Sequence, residues 1–566
     1  MSEKVLVTSA WPYINVTPHL GNLVGSVLSA DVAARYYRLK GADVLMVSGS
    51  DTHGTPIEVE AIKEGVTPKE LTDRNHARVA TLFQKWGASF DNYTSTESPV
   101  HKTFVQEHLM KIYKNGYIFK QETQMLYCEH DQRFLPDRFV EGKCPHCGYE
   151  RARGDQCDKC GRLLDGTLVD PRCIICGNTP TCKTTTHWYI DLSQFSHKLA
   201  TYIKDNKQMS SNAKNFSLNW IKEGLKPRAV TRDVEWGIPA PFPGAEGKTV
   251  YVWVDAVLGY VSATIEHCQR LGEPEKWREF WFNKNAKTLY FVGKDNIPFH
   301  TIILPALLLA SGEDYNLPWD VSATEFLQFK GEKASKSRKI GIWIDEALEM
   351  FPVDYWRFFL TATRPETKDT DFSWEFFVSK INADLNDTFG NFIHRTLTFI
   401  NSKFQREIPN PINMAAEDEL VLDGMRQKVE SIAQEIEESK LQSAVNTLIS
   451  LSRMGNQYLN DKEPWKLLKT HPEKASAIFH IAAHIVKALA ICSAPFMPTT
   501  AEQIWSTLNL QGSVHKARWT DALTPLQPTH KINAAKPLFN KIDVDEKTLD
   551  EKLLLIRKTQ NLNAQK

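Results

Sequence analysis

The spacing of apolar and polar positions changes several times along this chain, and each change marks an element. KVLVTSA (residues 4–10) is a short apolar run with strand character. In TPHLGNLVGSVLSADVAARYYRLKG (residues 17–41) apolar side chains recur at helical spacing, opened by Pro18 and closed by Gly41. ADVLMVSGSD (residues 42–51) is a second apolar run, which completes a strand–helix–strand unit. Such a unit predicts two parallel strands joined by a right-handed crossover. Helical patterns continue to about Gly116, and the stretch from about 125 to 185 reads as strand-poor. Alternation resumes with KTVYVWV, read as a strand, then DAVLGYVSATIEHCQ as a helix, KTLYFVGKD as a strand and IPFHTIILPALLLAS as a helix. The simplest account is an α/β fold: one doubly wound, parallel, Rossmann-like sheet interrupted by an inserted module. From about 384 to 510 the pattern is almost wholly helical, which predicts an all-α bundle. The charged tail at residues 543–566 reads as one helix with a frayed end.

Composition narrows the class. Of 566 residues 42% are hydrophobic, more than a disordered chain carries, and the length suggests about three or four domains. The 68 basic residues are balanced by 68 acidic ones, which argues against an indiscriminate nucleic-acid coat. No apolar run approaches the roughly 20 residues that cross a bilayer. The start, MSEKVLVTSA, lacks the layout of a signal peptide. A cytoplasmic location with no membrane partner is expected.

Eight of the ten cysteines fall between Cys128 and Cys182. In a cytoplasmic chain such clustering favours metal over disulfides. Cys144, Cys147, Cys157 and Cys160 have the paired C-x2-C spacing of a tetrahedral thiolate zinc site. A second site is predicted from Cys128, Asp131, Cys173 and Cys176, with His130 as a substitute for Asp131. Four protein ligands leave no open position, so both sites read as structural.

Two further stretches carry chemistry. PHLGN (residues 18–22) lies where the first strand hands over to its helix, a place that favours anions. His19 and Asn22 would present donors to a triphosphate, and Gly21 would let a base or ribose approach closely. KGEKASKSRK (residues 330–339) follows the last sheet strand. Lys333 and Lys336, beside Ser335 and Ser337, would neutralise charge at an α-phosphate losing pyrophosphate. Taken singly, the first stretch is also an ordinary helix start and the second a solvated basic turn.

Together with GSDTHGTP (residues 49–56) and YVWVDAVLGY (residues 251–260), the stretches TSAWPYINVTPHLGN and KASKSR resemble the methionyl-tRNA synthetases of the class I group. The resemblance covers nearly the whole chain, and the two signatures correspond to the family's HIGH and KMSKS motifs. It implies catalytic roles for His19, Asn22, Lys333, Lys336 and Arg232. It implies ATP contacts from Pro18, His19, Gly21, Asn22, Lys294, Asp295, Lys333, Ser335, Lys336 and Ser337, with Mg2+ accompanying the nucleotide. Methionine contacts are implied for Trp11, Tyr13, Asp51, Trp253, Ala256, Val257, Tyr260 and His300. Asp51 would pair the substrate ammonium, and aromatic rings would wrap the thioether. NADLNDTFGNFIHR and DKEPWK resemble the two segments that read a CAU anticodon, through Asn391, Arg395 and Trp465.

The sequence departs from the family at four of these places. Asn22 stands for a second histidine, Ala334 for a methionine, Trp11 for a leucine and Val257 for a proline. Two-zinc relatives would also carry a cysteine where Asp131 stands. The resemblance divides the chain into catalytic halves at 1–117 and 231–325 and a zinc-knuckle connective insertion at 118–230. A KMSKS-type loop and stem-contact region follows at 326–383, then an anticodon-binding bundle at 384–535 and a tail at 536–566. The implied activity is methionine–tRNA ligation with tRNA(Met), methionine and ATP as partners. No appended tRNA-binding barrel is visible after the helical region, so a monomer is expected. The alternatives are another class I aminoacyl-tRNA synthetase, a nucleotidyltransferase, or, from a different class, a non-catalytic zinc-knuckle RNA-binding protein.

Overall fold

The structure, a computed structural model, describes residues 2–564 except 155, 156, 158, 160–163, 165–167, 335–339 and 413. Five parallel strands form the central sheet: β1 (Lys4–Ser9), β2 (Asp43–Ser50), β3 (Asn92–Ser95), β4 (Lys287–Gly293) and β5 (Asp320–Thr324). Their order is β5-β4-β1-β2-β3, the doubly wound arrangement expected from the sequence. The apolar runs that define β1, β2 and β4 are nearly continuous because both faces of the sheet are covered. Val5, Val7, Val44, Met46, Leu289 and Phe291 enter one core, and their neighbours Leu6, Leu45, Val47, Tyr290 and Val292 enter the other. β3 was not visible in the sequence pattern: NYTS at the sheet edge is polar and short.

The helix after β1 opens with Leu20–Asn22, passes through a π stretch at Leu23–Val27 and runs on as Leu28–Lys40. It ends where the sequence predicts, at Gly41, whose φ of 94° lets its N–H reach the carbonyls of Arg38 and Tyr37.

Three expectations are corrected. KTVYVWV is not a sheet strand. Only Thr249–Val250 is extended, antiparallel to Thr231–Arg232, and a helix starts at once at Val252–Arg270. β-branched and aromatic residues favour strands only weakly, and here packing against the sheet overrides them. The stretch from 125 to 185 is not strand-poor: Ile118–Cys128 pairs over ten register positions with Thr181–Ile190. The middle of that ladder, KQETQ paired with TTTHW, is polar and largely exposed on the first strand, so no alternation shows; the apolar residues sit at its ends. Finally, one helix, Pro472–Ser493, is long and apolar enough to cross a membrane, although 94% of its apolar window is buried inside the protein. It is the central helix of the C-terminal bundle, between Ala416–Glu437, Leu441–Lys462 and Pro498–Thr507.

The tail does not trail away. The helix Glu546–Ala564 buries Leu549, Leu553 and Ile556 and returns to the region beside the basic loop. There Asp550 accepts from Trp374 Nε1 at 2.9 Å, and Arg557 pairs with Glu346 at 2.7 Å.

Candidate active site

Strand order reverses between β1 and β4, and ligands of open parallel sheets bind in the crevice at such a point. β1 leads to His19 and β4 to Lys294–Asn296. His19 caps its helix: Nδ1 accepts from the amides of Gly21 at 3.1 Å and Asn22 at 3.4 Å. Asn22 reciprocates, its Oδ1 accepting from the His19 amide at 3.1 Å. With Nδ1 used as an acceptor, Nε2 carries the proton of the neutral ring. Burial pushes the pKa of His19 down to about 4, so the ring donates as neutral imidazole at physiological pH. With its carbonyl engaged, Asn22 presents its NH2. The departure from histidine at 22 thus keeps a donor and adds a cap. A Cβ at Gly21 would lie 2.9 Å from His19 Cε1, so a larger residue there would displace the ring.

The flank beyond the basic loop reaches this turn, and the flank before it lies beside Lys294, after β4. Beyond it, Leu20 N–H donates to Ile342 O at 3.0 Å and Ile344 N–H to Pro18 O at 3.1 Å. Before it, Lys333 Nζ lies 3.7 Å from the centre of the Phe326 ring, and Lys294 Nζ lies 3.9 Å from the same ring. Asp295 is raised by burial and pulled back by Lys333 and Lys294. The Lys294 ammonium is already paired, with Glu325 at 2.7 Å and Asp369 at 2.8 Å. Ser335, Lys336 and Ser337 lie outside the described residues.

The side of the crevice that carries Asp51 is enclosed. Asp51 follows β2, is 3% exposed and has an Oδ1 without a hydrogen-bond partner. Burial, then the neighbouring Asp255 carboxylate, pushes its pKa well above the usual range. A buried carboxyl in that state is short of a cation. Tyr13 lies beside Asp51 and donates to His53 O at 2.7 Å. Trp253, Ala256, Val257 and Tyr260 sit on the helix Val252–Arg270, not on a strand-to-helix turn as expected. Trp253 stacks on Phe299 at 4.3 Å. Tyr260 OH and His300 Nε2 are 2.7 Å apart, and His300 Nδ1 lies 2.8 Å from Asn296 O. Burial pushes His300 down to about 4, so Nδ1–H donates to the carbonyl and Nε2 accepts from the tyrosine. Trp11 lies between two glycines: a Cβ on Gly49 or Gly259 would come 2.5 Å from its ring. The bulk added at Trp11 is therefore matched by missing side chains on β2 and the helix. A cavity of about 330 Å³ opens between the sheet and the insertion. Tyr13, Arg232, Trp236 and Trp253 line it, and the Arg232 guanidinium lies over Tyr251 at 3.6 Å.

Beneath this pocket lies a charged network that the sequence reading did not single out. His53 Nδ1 meets Asp255 Oδ2 at 2.6 Å and Nε2 meets Glu97 Oε1 at 2.7 Å. Asp255 Oδ1 meets His101 Nε2 at 2.9 Å. The signal was present: Asp255 is the lone charge in the apolar run YVWVDAVLGY, and His53 sits within GSDTHGTP.

Both cysteine groups close up in space. Cys128, Asp131, Cys173 and Cys176 bring donor atoms within 4.8 Å of one another, as do Cys144, Cys147 and Cys157. Cys160 lies outside the described residues. Each knuckle turns on a glycine with positive φ, Gly148 at 71° and Gly177 at 77°. Asp131 Oδ2 lies 3.2 Å from Cys128 Sγ and 3.0 Å from Cys173 Sγ. His130 backs Asp131 Oδ1 at 2.9 Å, so of the two candidates the carboxylate faces the thiols. Three thiols with a carboxylate, and three thiols of a paired-knuckle set, fit a tetrahedral zinc ion.

In the helical region Arg395 lies over the Trp465 ring at 5.2 Å, and Phe399 stacks on the same ring at 6.1 Å. Asn391 is exposed, one turn before Arg395 on its helix. Among the described residues, no hydrogen bond or ring contact joins Asn391 to Trp465.

Comparison with known proteins agrees with this arrangement. A family described as "tRNA synthetases class I (M)" matches residues 5–397, and the "anticodon binding domain of methionyl tRNA ligase" matches residues 408–553. The methionine–tRNA ligase of Thermofilum pendens is 52% identical over 545 residues, covering 96% of both chains. That of Aeropyrum pernix is 51% identical over 96% of this chain and 95% of its own. Among solved structures, Mycobacterium tuberculosis methionyl-tRNA synthetase in complex with methionyl-adenylate superposes with a TM-score of 0.79. It covers 95% of this chain at 24% identity, a likeness of fold. A parallel sheet with a converging crevice, a family match over the catalytic region and relatives half identical along almost the whole length lead to one conclusion: this chain belongs to the methionyl-tRNA synthetases of class I.

Proposed function

We infer that this chain activates methionine and charges tRNA with it. The methionine carboxylate attacks the α-phosphate of ATP, methionyl-adenylate forms and pyrophosphate leaves; the methionyl group then passes to the 3′ end of tRNA(Met), releasing AMP. The observation that carries the reading is the half-identical match to methionine–tRNA ligases over 96% of the chain. Neither the other synthetases nor a non-catalytic RNA-binding protein accounts for that match.

No side chain need attack covalently; orientation and charge stabilisation suffice. ATP enters as its Mg2+ complex. His19, through Nε2–H, and Asn22, through its NH2, donate to the phosphates at the helix start, and Pro18 and Gly21 shape that turn. Lys333 and Lys336, with Ser335 and Ser337, take the charge that grows as pyrophosphate departs. We assign Asp295 and Arg232 to the nucleotide, and Lys294 braces the site through Glu325 and Asp369. Asp51 takes the ammonium of methionine. Tyr13, Trp253, Tyr260 and His300 surround the thioether, with Trp11, Ala256 and Val257 closing the wall. Zinc, when bound at either cysteine group, would hold the folded insertion together. Trp465, stacked with Arg395 and Phe399, offers a face to an anticodon base, and Asn391 and Arg395 offer donors to base edges.

The same reading takes the domain limits given above, a monomer, a cytoplasmic site of action and no membrane partner. The burial of Pro472–Ser493 inside the bundle supports the last of these. The test is methionine-dependent ATP–pyrophosphate exchange followed by charging of tRNA(Met). Exchange that depends on another amino acid, or none, overturns the reading.

A further inference from the structure

The residue joining the two walls of the amino-acid pocket is a histidine with no free nitrogen. His53 follows Asp51 by two positions, and its side chain is 1% exposed. One ring nitrogen meets Asp255, whose side chain is fully buried, and the other meets Glu97. Carboxylates only accept at neutral pH, so both ring nitrogens must donate. The ring is therefore an imidazolium. Burial alone would depress it, but Asp255 and Glu97 outweigh that and raise its pKa to about 9.

Each partner of His53 belongs to a different part of the pocket. Asp255 lies on the first turns of Val252–Arg270, two residues after Trp253 and five before Tyr260. Glu97 belongs to the loop after β3, where Lys102 holds it at 2.7 Å. The His53 carbonyl accepts from Tyr13, and the ring packs edge-on against Trp236 at 5.7 Å. Next to it, the Thr52 carbonyl accepts from Trp236 Nε1 at 2.6 Å and the Thr52 amide donates to Thr96 Oγ1 at 3.0 Å. The end of β2 that carries Asp51 is thus tied to the aromatic helix through a single ring. The tie also balances charge, because Asp255 faces Asp51 and would repel its ionised form.

We propose that His53 is a positioning residue for methionine: its doubly bonded imidazolium sets the distance between the carboxylate that takes the ammonium and the helix that takes the side chain. This rests on the methionine-activating reading above. His53 touches no substrate in this scheme. It acts through Asp51, Tyr13 and Asp255, so its loss should fall on methionine and not on ATP.

The test compares the wild type, His53→Gln, Asp255→Asn and the double variant in methionine-dependent pyrophosphate exchange. His53→Gln should raise KM for methionine by roughly 10-fold to 100-fold, the size of effect that misplacement by about 1 Å produces, with KM for ATP little changed. The double variant should recover part of that loss, because removing both partners leaves less unpaired charge than removing one. The wild-type His53 ring should keep both N–H signals in nitrogen–proton spectra at pH 8. A neutral ring at that pH, or a His53→Gln enzyme with unchanged methionine KM and merely a lower Tm, overturns the proposal. Should His53→Gln fail to fold, the ring spectrum of the wild type and the KM of Asp255→Asn decide the matter. Absence of methionine-dependent exchange in the wild type would instead strike the proposed function.

Discussion

The two ends of the crevice handle charge in opposite ways. At the end we assign to the nucleotide, His19 is partly buried, caps its own helix and is pushed down to about 4. At the amino-acid end His53 is buried between two carboxylates and is raised to about 9. The first ring stays neutral and offers a donor outward; the second stays charged and offers nothing outward. A triphosphate brings several charges that remain partly in water, so backbone amides, a helix start and lysines near the surface suit it. An amino acid brings one ammonium into an enclosed place, where a carboxyl must be stationed in advance and where His53 offsets only part of the repulsion from Asp255. The contrast is between a site that collects charge and a site that keeps one buried carboxyl short of a cation.

The largest expected effect breaks the nucleotide end. Lys336→Ala should lower adenylate formation by roughly 100-fold to 1000-fold while the methionine dissociation constant stays within about 2-fold, read by exchange kinetics and calorimetry. A shift in methionine binding of similar size would mean that the two ends are not separable. Asp51→Asn breaks the other end: KM for methionine should rise by roughly 30-fold or more with KM for ATP little altered, as for a buried charge deprived of its partner. If Tm fell and KM did not, Asp51 would belong to the scaffold alone.

A pH series sharpens the histidine contrast. The folded-state pKa of His53 lies above its ordinary 6.5, so its stabilising contribution is complete below about 6.5 and is lost as pH rises through about 9. His19 has the opposite sign, and its contribution is lost as pH falls from 6.5 towards 4. Thermal unfolding from pH 6 to 10 should therefore show a decline in Tm that His53→Gln flattens and His19→Gln does not. Equal declines in all three proteins would remove the contrast.

Away from the crevice the effects should be smaller. Trp465→Ala should leave exchange intact and slow tRNA charging by roughly 5-fold to 150-fold, the worth of one stacked base. Asp131→Ala should reduce bound zinc by about one ion per chain, read by metal analysis, with the paired-knuckle site retained. Loss of all metal would mean that the two cysteine groups fold as one.

The sequence revealed motifs better than it revealed geometry. PHLGN and the C-x2-C pairs were legible because they occur in order with the other family segments and at a spacing that few structures other than a metal knuckle use. β1, β2 and β4 were legible because a sheet covered on both faces needs unbroken apolar runs. The Ile118–Cys128 and Thr181–Ile190 ladder was not, since its middle is polar and its apolar residues lie at the ends without alternation. YVWVDAVLGY misled because its first residues favour strands, whereas the fold turns them into a helix so that Asp255 can reach His53 and His101.

What the residues alone determined is the doubly wound class, the order of its parts, the paired-cysteine knuckles and the family resemblance, all of which depend on local spacing along the chain. What only the tertiary structure decided is which nitrogen of His19 faces outward, that Lys294 is already paired, that Trp11 fits between Gly49 and Gly259, and that His53 is held between two carboxylates. These depend on neighbours tens to hundreds of positions away. Burial and pairing set protonation, and neither can be read from a residue and its immediate neighbours.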